Sequence, residues 1–232
     1  MADDVGRRAF LGAVGGALAA GAVNALAAEA PAAGKGVKIL GIACSPRKGK
    51  TTAAAVQVAL DAAKAVSPAI EVELIELAGL SIPGQVAAGV PLAEGEKDDF
   101  PAVAAKLADP AVAGFIIGSP VYFNSMTYLA KAFIDRCMVF RKEFGLSGKA
   151  AGALAVGAAR NGGQELTVQS IQTALLSHEV VVVGTSRPTG RAGATLVNQK
   201  DDITGDEFGL ATARDLGRRV ADVALRMTAV AG

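Results

Sequence analysis

The sequence predicts a doubly wound α/β fold, in which helices cover both faces of a parallel β-sheet. Short apolar runs typical of buried strands alternate along the chain with longer segments of helical periodicity. Strands joined through helices are parallel and connected in the right-handed sense. The formal net charge of +1 and the lack of a basic block argue against nucleic acid as a partner.

Five strands and five helices are predicted in order. The strands are residues 37–42, 71–77, 112–118, 150–156 and 180–183, and the helices are residues 52–66, 100–107, 125–140, 163–177 and 206–227. Strand 71–77 alternates charged and apolar residues, which is typical of a strand near the edge of a sheet. Residues 79–99 form an insertion with Pro and Gly that could cover one end of a ligand site.

The N-terminus has the pattern of an export signal. Arg7 and Arg8 precede Phe-Leu, an uncharged Ala- and Gly-rich stretch follows, and Ala25-Leu26-Ala27 fits the small-x-small cleavage rule. Residues 1–28 therefore resemble a twin-arginine signal peptide, residues 29–36 a linker, and residues 37–232 the folded domain. Cleavage at Ala27 or Ala28 would give a periplasmic protein, whereas retention would leave a short membrane anchor.

The first segment with a chemical signature is residues 41–52, Gly-Ile-Ala-Cys-Ser-Pro-Arg-Lys-Gly-Lys-Thr-Thr. It joins a predicted strand to a helix, and unpaired N–H groups at a helix N-terminus bind phosphate. Ser45, Thr51 and Thr52 supply hydroxyls, and Arg47 and Lys50 supply positive charge. An ordinary solvated turn remains the alternative.

The identity of the phosphate ligand is constrained by what the motif lacks. Cys44 replaces the first glycine of a nucleoside-triphosphate loop, and no acidic residue follows strand 112–118 to hold a metal ion. The dinucleotide fingerprint G-x-G-x-x-G is also absent after the first strand. Cys44 and Cys137, which are the only cysteines, are predicted to be small, half-buried apolar residues without a disulfide.

Two further loops follow predicted strands and meet the first at the same edge of the sheet. Residues 118–126, Gly-Ser-Pro-Val-Tyr-Phe-Asn-Ser-Met, contain Tyr122 and Phe123, and residues 159–164 are Ala-Arg-Asn-Gly-Gly-Gln. Exposed aromatic side chains indicate a flat ligand, although packing is the alternative for both rings. The three loops together predict a ligand with a phosphate, a polar chain and a planar ring.

These segments, together with Lys131-Ala-Phe-Ile-Asp-Arg136 and Arg187-Pro-Thr189, resemble the flavodoxin-like NAD(P)H-dependent FMN reductases. The branch most similar includes iron–sulfur flavoproteins and quinone reductases, and the resemblance covers residues 35 to about 227. It implies a three-layer fold with a five-stranded sheet in the order 2-1-3-4-5. It also implies non-covalent FMN, NAD(P)H as electron donor, and homodimers or homotetramers.

The resemblance places FMN against all three loops. The phosphate would contact Ser45, Arg47, Lys50, Thr51 and Thr52; the isoalloxazine would contact Pro120, Val121, Tyr122, Phe123, Asn124 and Ser125; Ala159, Arg160, Asn161, Gly162 and Gly163 would border its pyrimidine side. Family members commonly have Gly and Asn at the positions of Cys44 and Thr51. No cysteine lies in residues 79–99, where iron–sulfur members carry theirs, so no cluster is expected.

The expected function is reduction of a small acceptor, such as a quinone or a flavin, by an FMN enzyme outside the cytoplasm that takes hydride from NAD(P)H or electrons from another donor. Neither a catalytic side chain nor a metal ligand is predicted, because flavin chemistry takes place at N5 of the cofactor. His178 is predicted to pack or to cap a helix. The alternatives are a non-enzymatic electron-transfer flavoprotein, with a redox protein as its partner, and a flavin-free binding module.

Overall fold

A parallel sheet forms the centre of the protein in the computed structural model, which describes residues 36–230. The strands are β1 (Val37–Ala43), β2 (Ile70–Glu76), β3 (Val112–Pro120), β4 (Ala150–Gly157), β5 (Val181–Val183) and β6 (Ala194–Val197). The order β2-β1-β3-β4-β5 confirms the predicted topology, with β2 at the edge. The predicted signal peptide and all of the linker except Gly36 lie outside the described residues.

The helices cover the two faces of the sheet. They are α1 (Thr51–Lys64), α2 (Phe100–Leu107), α3 (Tyr128–Arg136), α4 (Gln164–Leu176) and α5 (Glu207–Val230). One buried cluster joins α1 and α5 to the sheet, and the other joins α2, α3 and α4 to the opposite face. Helices α1 and α5 pack so closely that a Cβ added at Gly217 of α5 would lie 1.9 Å from the carbonyl oxygen of Ala59 in α1.

Helix α3 is shorter than the predicted helix 125–140. Thr127 has extended backbone angles, and its hydroxyl accepts a hydrogen bond from the N–H of Ala130. A threonine in this position is an N-cap, so the helix starts at Tyr128. The last residues of the predicted helix form a separate 3₁₀ turn, Cys137–Phe140.

The edge of the sheet beside β4 is shared by two short strands. β5 pairs with residues 150–152 of β4, and β6 pairs with residues 154–157. Strand β6 was not predicted, because residues 184–193, which separate it from β5, contain three glycines and a proline. The loop that follows β6 consequently reaches the same edge of the sheet as the three predicted loops.

Cys44 and Cys137 are free thiols, and both are fully buried rather than half-buried as predicted. Burial raises the pKa of the Cys137 thiol to about 12 and raises that of Cys44 further. Thiols with such pKa values are protonated at neutral pH and unreactive. No helix among residues 36–230 is both long enough and apolar enough to cross a membrane.

Candidate functional site

Four loops meet at the carboxyl ends of the strands. The first turn (residues 44–50) follows β1, the second loop (121–127) follows β3, the third loop (158–163) follows β4, and the fourth loop (198–206) follows β6. The first three contain or adjoin the predicted site residues. The fourth loop was not predicted as part of the site. Its polar run Asn-Gln-Lys-Asp-Asp directly follows a short apolar segment, which is the pattern of a loop after a strand.

The first turn leaves the N-terminus of α1 open for an anion. Lys50 occupies the N-cap position and makes no capping hydrogen bond through its side chain. The hydroxyl of Ser45 accepts the N–H of Arg47 at 3.1 Å. Thr51 and Thr52 are buried at the start of the helix, and within residues 36–230 their hydroxyls form no hydrogen bond. Uncapped N–H groups and free hydroxyls are the donors that a phosphate requires.

Two carboxylates approach the same turn. Asp201 of the fourth loop lies 2.6 Å from Nη1 of Arg47 and 3.2 Å from Nζ of Lys50. Glu76, at the end of β2, accepts the N–H of Gly49 at 2.7 Å. Hydrogen bonds from Arg47 and Lys50 lower the pKa of Asp201, which is therefore charged at neutral pH. Neither carboxylate was predicted as part of the site.

The second loop presents aromatic side chains to solvent. Tyr122 and Ser125 exchange two backbone hydrogen bonds of 2.9 and 3.0 Å, and φ is positive at Phe123 and Asn124. This is the geometry of a tight two-residue turn. The side chain of Phe123 is fully exposed and that of Tyr122 is 45% exposed. The packing interpretation is therefore wrong for Phe123.

The remaining predicted residues of the second loop connect its turn to the sheet. Pro120 is the last residue of β3, and the N–H of Val121 donates to the carbonyl of Val156 at 2.9 Å. This bond fixes the loop to β4. Ser125 is exposed at the far end of the turn, beside Tyr122.

The third loop is organised by a buried glutamine. Gln164 accepts the N–H of Gly162 at 2.8 Å and donates to the carbonyls of Ala159 and Leu196 at 2.7 and 3.2 Å. These bonds hold the backbone of residues 159–162 exposed at the edge of the site. Asn161 has a φ of 59° within this loop.

Arg160 differs from its neighbours in the third loop. Its guanidinium forms an ion pair with the buried Asp206 and donates to the carbonyl of Thr195 at 3.1 Å. It also lies over the ring of Phe208, 5.5 Å from the centroid. The side chain thus connects the third loop to the fourth.

Direct contacts hold the loops together. The hydroxyl of Thr127 donates to the carbonyl of Cys44 at 2.8 Å, which joins the second loop to the first turn. Asn124 packs against Gly163, where an added Cβ would lie 2.2 Å from Oδ1 of Asn124. The predicted insertion borders this edge as well, because residues 80–83 line a cleft of about 300 Å³ with Pro46 and Tyr128.

The donor set fits FMN. The uncapped helix, the free hydroxyls and two cations suit a phosphate, while the exposed rings and the third-loop backbone suit a planar group. His178 is buried at the end of α4 remote from the loops, and burial lowers its pKa. In the described part of the chain, no three His, Cys, Asp or Glu side chains are grouped to bind a metal ion.

Solved structures share this fold. The apo form of NADH:FMN oxidoreductase EMOB superposes with a TM-score of 0.54 at 24% identity, covering 84% of this chain and 89% of that one. The flavodoxin-like WrbA-like protein from Agrobacterium tumefaciens superposes with a TM-score of 0.58 at 19% identity, covering 82% and 98%. The likeness concerns the fold alone at these identities.

Sequence comparisons identify the family. An iron-sulfur flavoprotein of Methanocaldococcus jannaschii is 39% identical over 191 residues, covering 81% of this chain and 97% of that protein. An NAD(P)H dehydrogenase (quinone) of Chromohalobacter salexigens is 30% identical over 174 residues, covering 68% and 83%. The family model for NADPH-dependent FMN reductase matches residues 37–192. With that match across all three predicted loops, the chain belongs to the NADPH-dependent FMN reductase family.

Proposed function

We propose that this protein is an exported FMN enzyme that takes hydride from NAD(P)H and reduces a quinone, a flavin or a similar small acceptor. As a member of its family the chain is an oxidoreductase with FMN as its cofactor. The observation that carries the proposal is the bond from Thr127 to Cys44, which brings an uncapped helix N-terminus and the exposed ring of Phe123 to one edge of the sheet.

The residues of the site bind and orient the cofactor. Ser45, Thr51 and Thr52, with Arg47 and Lys50, bind the phosphate, and the second and third loops flank the ring. Bound FMN supplies the two-electron chemistry, and the protein supplies orientation and electrostatics. The chain therefore requires no acid–base pair of its own.

The relatives include both iron-sulfur flavoproteins and NAD(P)H dehydrogenases (quinone), and the cysteines of this chain favour the second kind of activity. One relative is an NAD(P)H dehydrogenase (quinone). The chain has two cysteines, and both are buried in the core, whereas an iron–sulfur cluster bound by cysteines takes four thiolates. Small-molecule reduction is therefore the activity that we assign.

Export is proposed from the sequence of residues 1–28. The twin-arginine pathway accepts proteins that are already folded, which suits a chain that must bind its cofactor in the cytoplasm. Replacing Arg7 and Arg8 by lysine should retain the protein in the cytoplasmic fraction, and an unchanged distribution between periplasm and cytoplasm would contradict this proposal. A homodimer or homotetramer is proposed from the family resemblance, and light scattering of the purified protein tests it.

The decisive experiment is the visible spectrum of the purified protein before and after addition of NADH or NADPH. We expect a flavin spectrum that is bleached by the nucleotide and restored by a quinone, with steady-state turnover. Bound FMN without turnover on any small acceptor would favour an electron-transfer protein, and a colourless protein that does not take up FMN would favour a binding module.

A double variant tests the phosphate site directly. Ser45→Ala with Thr52→Ala should lower FMN affinity at least tenfold, because two hydroxyl donors to the phosphate are lost. Riboflavin, which has no phosphate, should bind the variant and the wild type equally. Full retention of FMN affinity would contradict the assignment of the first turn.

A further inference from the structure

The phosphate site contains a carboxylate from the protein itself. Oδ1 of Asp201 lies 2.6 Å from Nη1 of Arg47, and Oδ2 lies 3.2 Å from Nζ of Lys50. One carboxylate therefore bridges the two cations assigned to the phosphate. Two oxygens of a phosphate satisfy the same pair of donors.

The backbone holds Asp201 in this position. Gln199 and Asp202 exchange backbone hydrogen bonds of 2.7 and 3.1 Å, which closes a tight turn around Lys200 and Asp201. Both central residues have positive φ, at 55° and 66°. The N–H of Asp201 donates to Oδ1 of Asn198 at 2.8 Å. Because non-glycine residues adopt positive φ at a cost, the position of Asp201 is a defined feature of the fourth loop.

The contacts of Asp201 are accessible to a competing anion. Its side chain is 39% exposed, and those of Arg47 and Lys50 are 48% and 45% exposed. Ion pairs at this exposure are weak. A phosphate monoester carries a charge of about −1.5 to −2 near pH 7 and three acceptor oxygens, so it binds such cations more strongly than one carboxylate does.

We infer that Asp201 is a competing anion, which neutralises Arg47 and Lys50 in the FMN-free protein and releases them to the phosphate when FMN binds. The inference rests on the proposed function and adds to it a residue that sets cofactor affinity. Asp201 weakens FMN binding in two ways, because its contacts must be broken and because its charge then repels the phosphate. Neither effect acts on riboflavin.

The test is the affinity of the apoprotein for FMN and for riboflavin, measured by quenching of flavin fluorescence. Asp201→Asn removes the charge and preserves the shape of the side chain. We expect FMN to bind this variant about three- to tenfold more tightly than wild type, from the strength of two exposed ion pairs. The affinity for riboflavin should stay the same.

Asp202→Asn is the matched control. Asp202 is adjacent in the same turn and its carboxylate accepts hydrogen bonds from Thr204, so its contacts lie within the fourth loop and away from Arg47 and Lys50. It changes the net charge by the same amount, and it should change FMN affinity less than twofold. Asp201→Ser is measured in parallel, so that a folding defect in one variant does not decide the result.

The inference is overturned if both Asp201 variants bind FMN as weakly as wild type, since Asp201 would then not compete with the phosphate. It is equally overturned if both bind FMN more weakly, since Asp201 would then position the cations for the phosphate. It is also overturned if the Asp201 variants show the same gain in affinity for riboflavin, or if Asp202→Asn shows the same gain in affinity for FMN. These outcomes leave FMN binding by the wild type intact. Failure of the wild-type apoprotein to bind FMN would instead contradict the proposed function.

Discussion

The hydroxyl of Thr127 donates to the carbonyl of Cys44 at 2.8 Å and accepts the N–H of Ala130 at 3.1 Å. One buried side chain thereby caps α3 and joins two loops of the cofactor site. The N–H of Thr127 in turn donates to the hydroxyl of Ser119 at 3.0 Å, which anchors this junction to the end of β3.

Replacement of Thr127 by valine should destabilise the apoprotein by about 2 kcal/mol or more, because it removes an N-cap and leaves the buried carbonyl of Cys44 without its donor. Urea unfolding followed by circular dichroism measures the change. Thr127→Ser keeps both hydrogen bonds and should cost less than about 1 kcal/mol. Equal losses for the two variants would show that packing, not hydrogen bonding, is the role of Thr127.

This junction illustrates what could be predicted from the sequence. Strand and helix order follows from hydrophobic periodicity, and the position of the first three loops follows from parallel topology. Thr127 was placed inside a helix because periodicity does not distinguish an N-cap from the first turn. The cap depends on backbone angles that the hydrogen bond to Cys44 helps to fix.

The fourth loop was not predictable by the same means. β6 has four residues and extends the edge of the sheet only because β5 ends early against β4. Asp201 lies 154 positions from Arg47 in the sequence, so their ion pair is a product of topology alone. The surrounding turn has Lys200 and Asp201 at positive φ, where glycine or asparagine would have given a clearer signal.

A buried ion pair anchors the insertion of residues 79–99. Arg136 donates to both oxygens of Asp98 at 2.9 and 2.7 Å and to the carbonyl of Pro83 at 3.2 Å, and its guanidinium lies 4.6 Å from the ring centroid of Phe100. Asp98→Ala leaves the guanidinium buried without its partner and should cost about 3 kcal/mol or more. Asp135→Ala, which breaks the exposed pair with Lys131, should cost at most about 0.5 kcal/mol.

The same pair predicts a pH dependence. Hydrogen bonding from Arg136 lowers the pKa of Asp98 below the value near 3.9 of an unfolded aspartate. The unfolded chain therefore takes up a proton first as the pH falls, and the stabilisation is complete above about pH 4 and is lost as the pH falls through the folded pKa. The free energy of unfolding of wild type and Asp98→Asn, measured in urea from about pH 2.5 to about pH 6, should fall more steeply with acidification for wild type than for the variant. Parallel plots of unfolding free energy against pH for the two proteins would contradict the assignment of this pH dependence to Asp98.

The exposed ring of Phe123 should contribute to the affinity for FMN and not to the stability of the folded apoprotein. Because the side chain is fully exposed, Phe123→Ala should change the free energy of unfolding of the apoprotein by no more than about 0.5 kcal/mol. FMN affinity should fall about three- to tenfold through loss of an aromatic contact. Fluorescence titration and urea unfolding of one preparation give both values.

Phe133→Ala is the contrasting control. Phe133 lies on the buried face of α3, in the core, and its truncation should cost about 3 to 5 kcal/mol. A large loss of apoprotein stability in Phe123→Ala, or unchanged affinity for FMN, would mean that the ring does not serve the cofactor.

Gly163 joins the second and third loops through a close approach that no side chain permits. Its φ is 94°, and a Cβ at this position would lie 2.2 Å from Oδ1 and 3.0 Å from Cα of Asn124. Gly49, in the first turn, also has positive φ at 64°, but a Cβ there meets nothing within 4 Å. Comparing alanine at the two positions separates the cost of backbone strain from the cost of forcing the loops apart.

We expect Gly49→Ala to cost about 1 kcal/mol of apoprotein stability from strain alone, and Gly163→Ala about 3 kcal/mol or more from strain and overlap. Adding Asn124→Ala to Gly163→Ala should recover part of the loss, because it removes the nearest overlapping atom while the crowding against the backbone of residue 124 and the strained φ remain. Urea unfolding of the four proteins, wild type included, measures this. Similar costs for the two single variants, or no recovery in the double variant, would show that the second and third loops are not held together at Gly163.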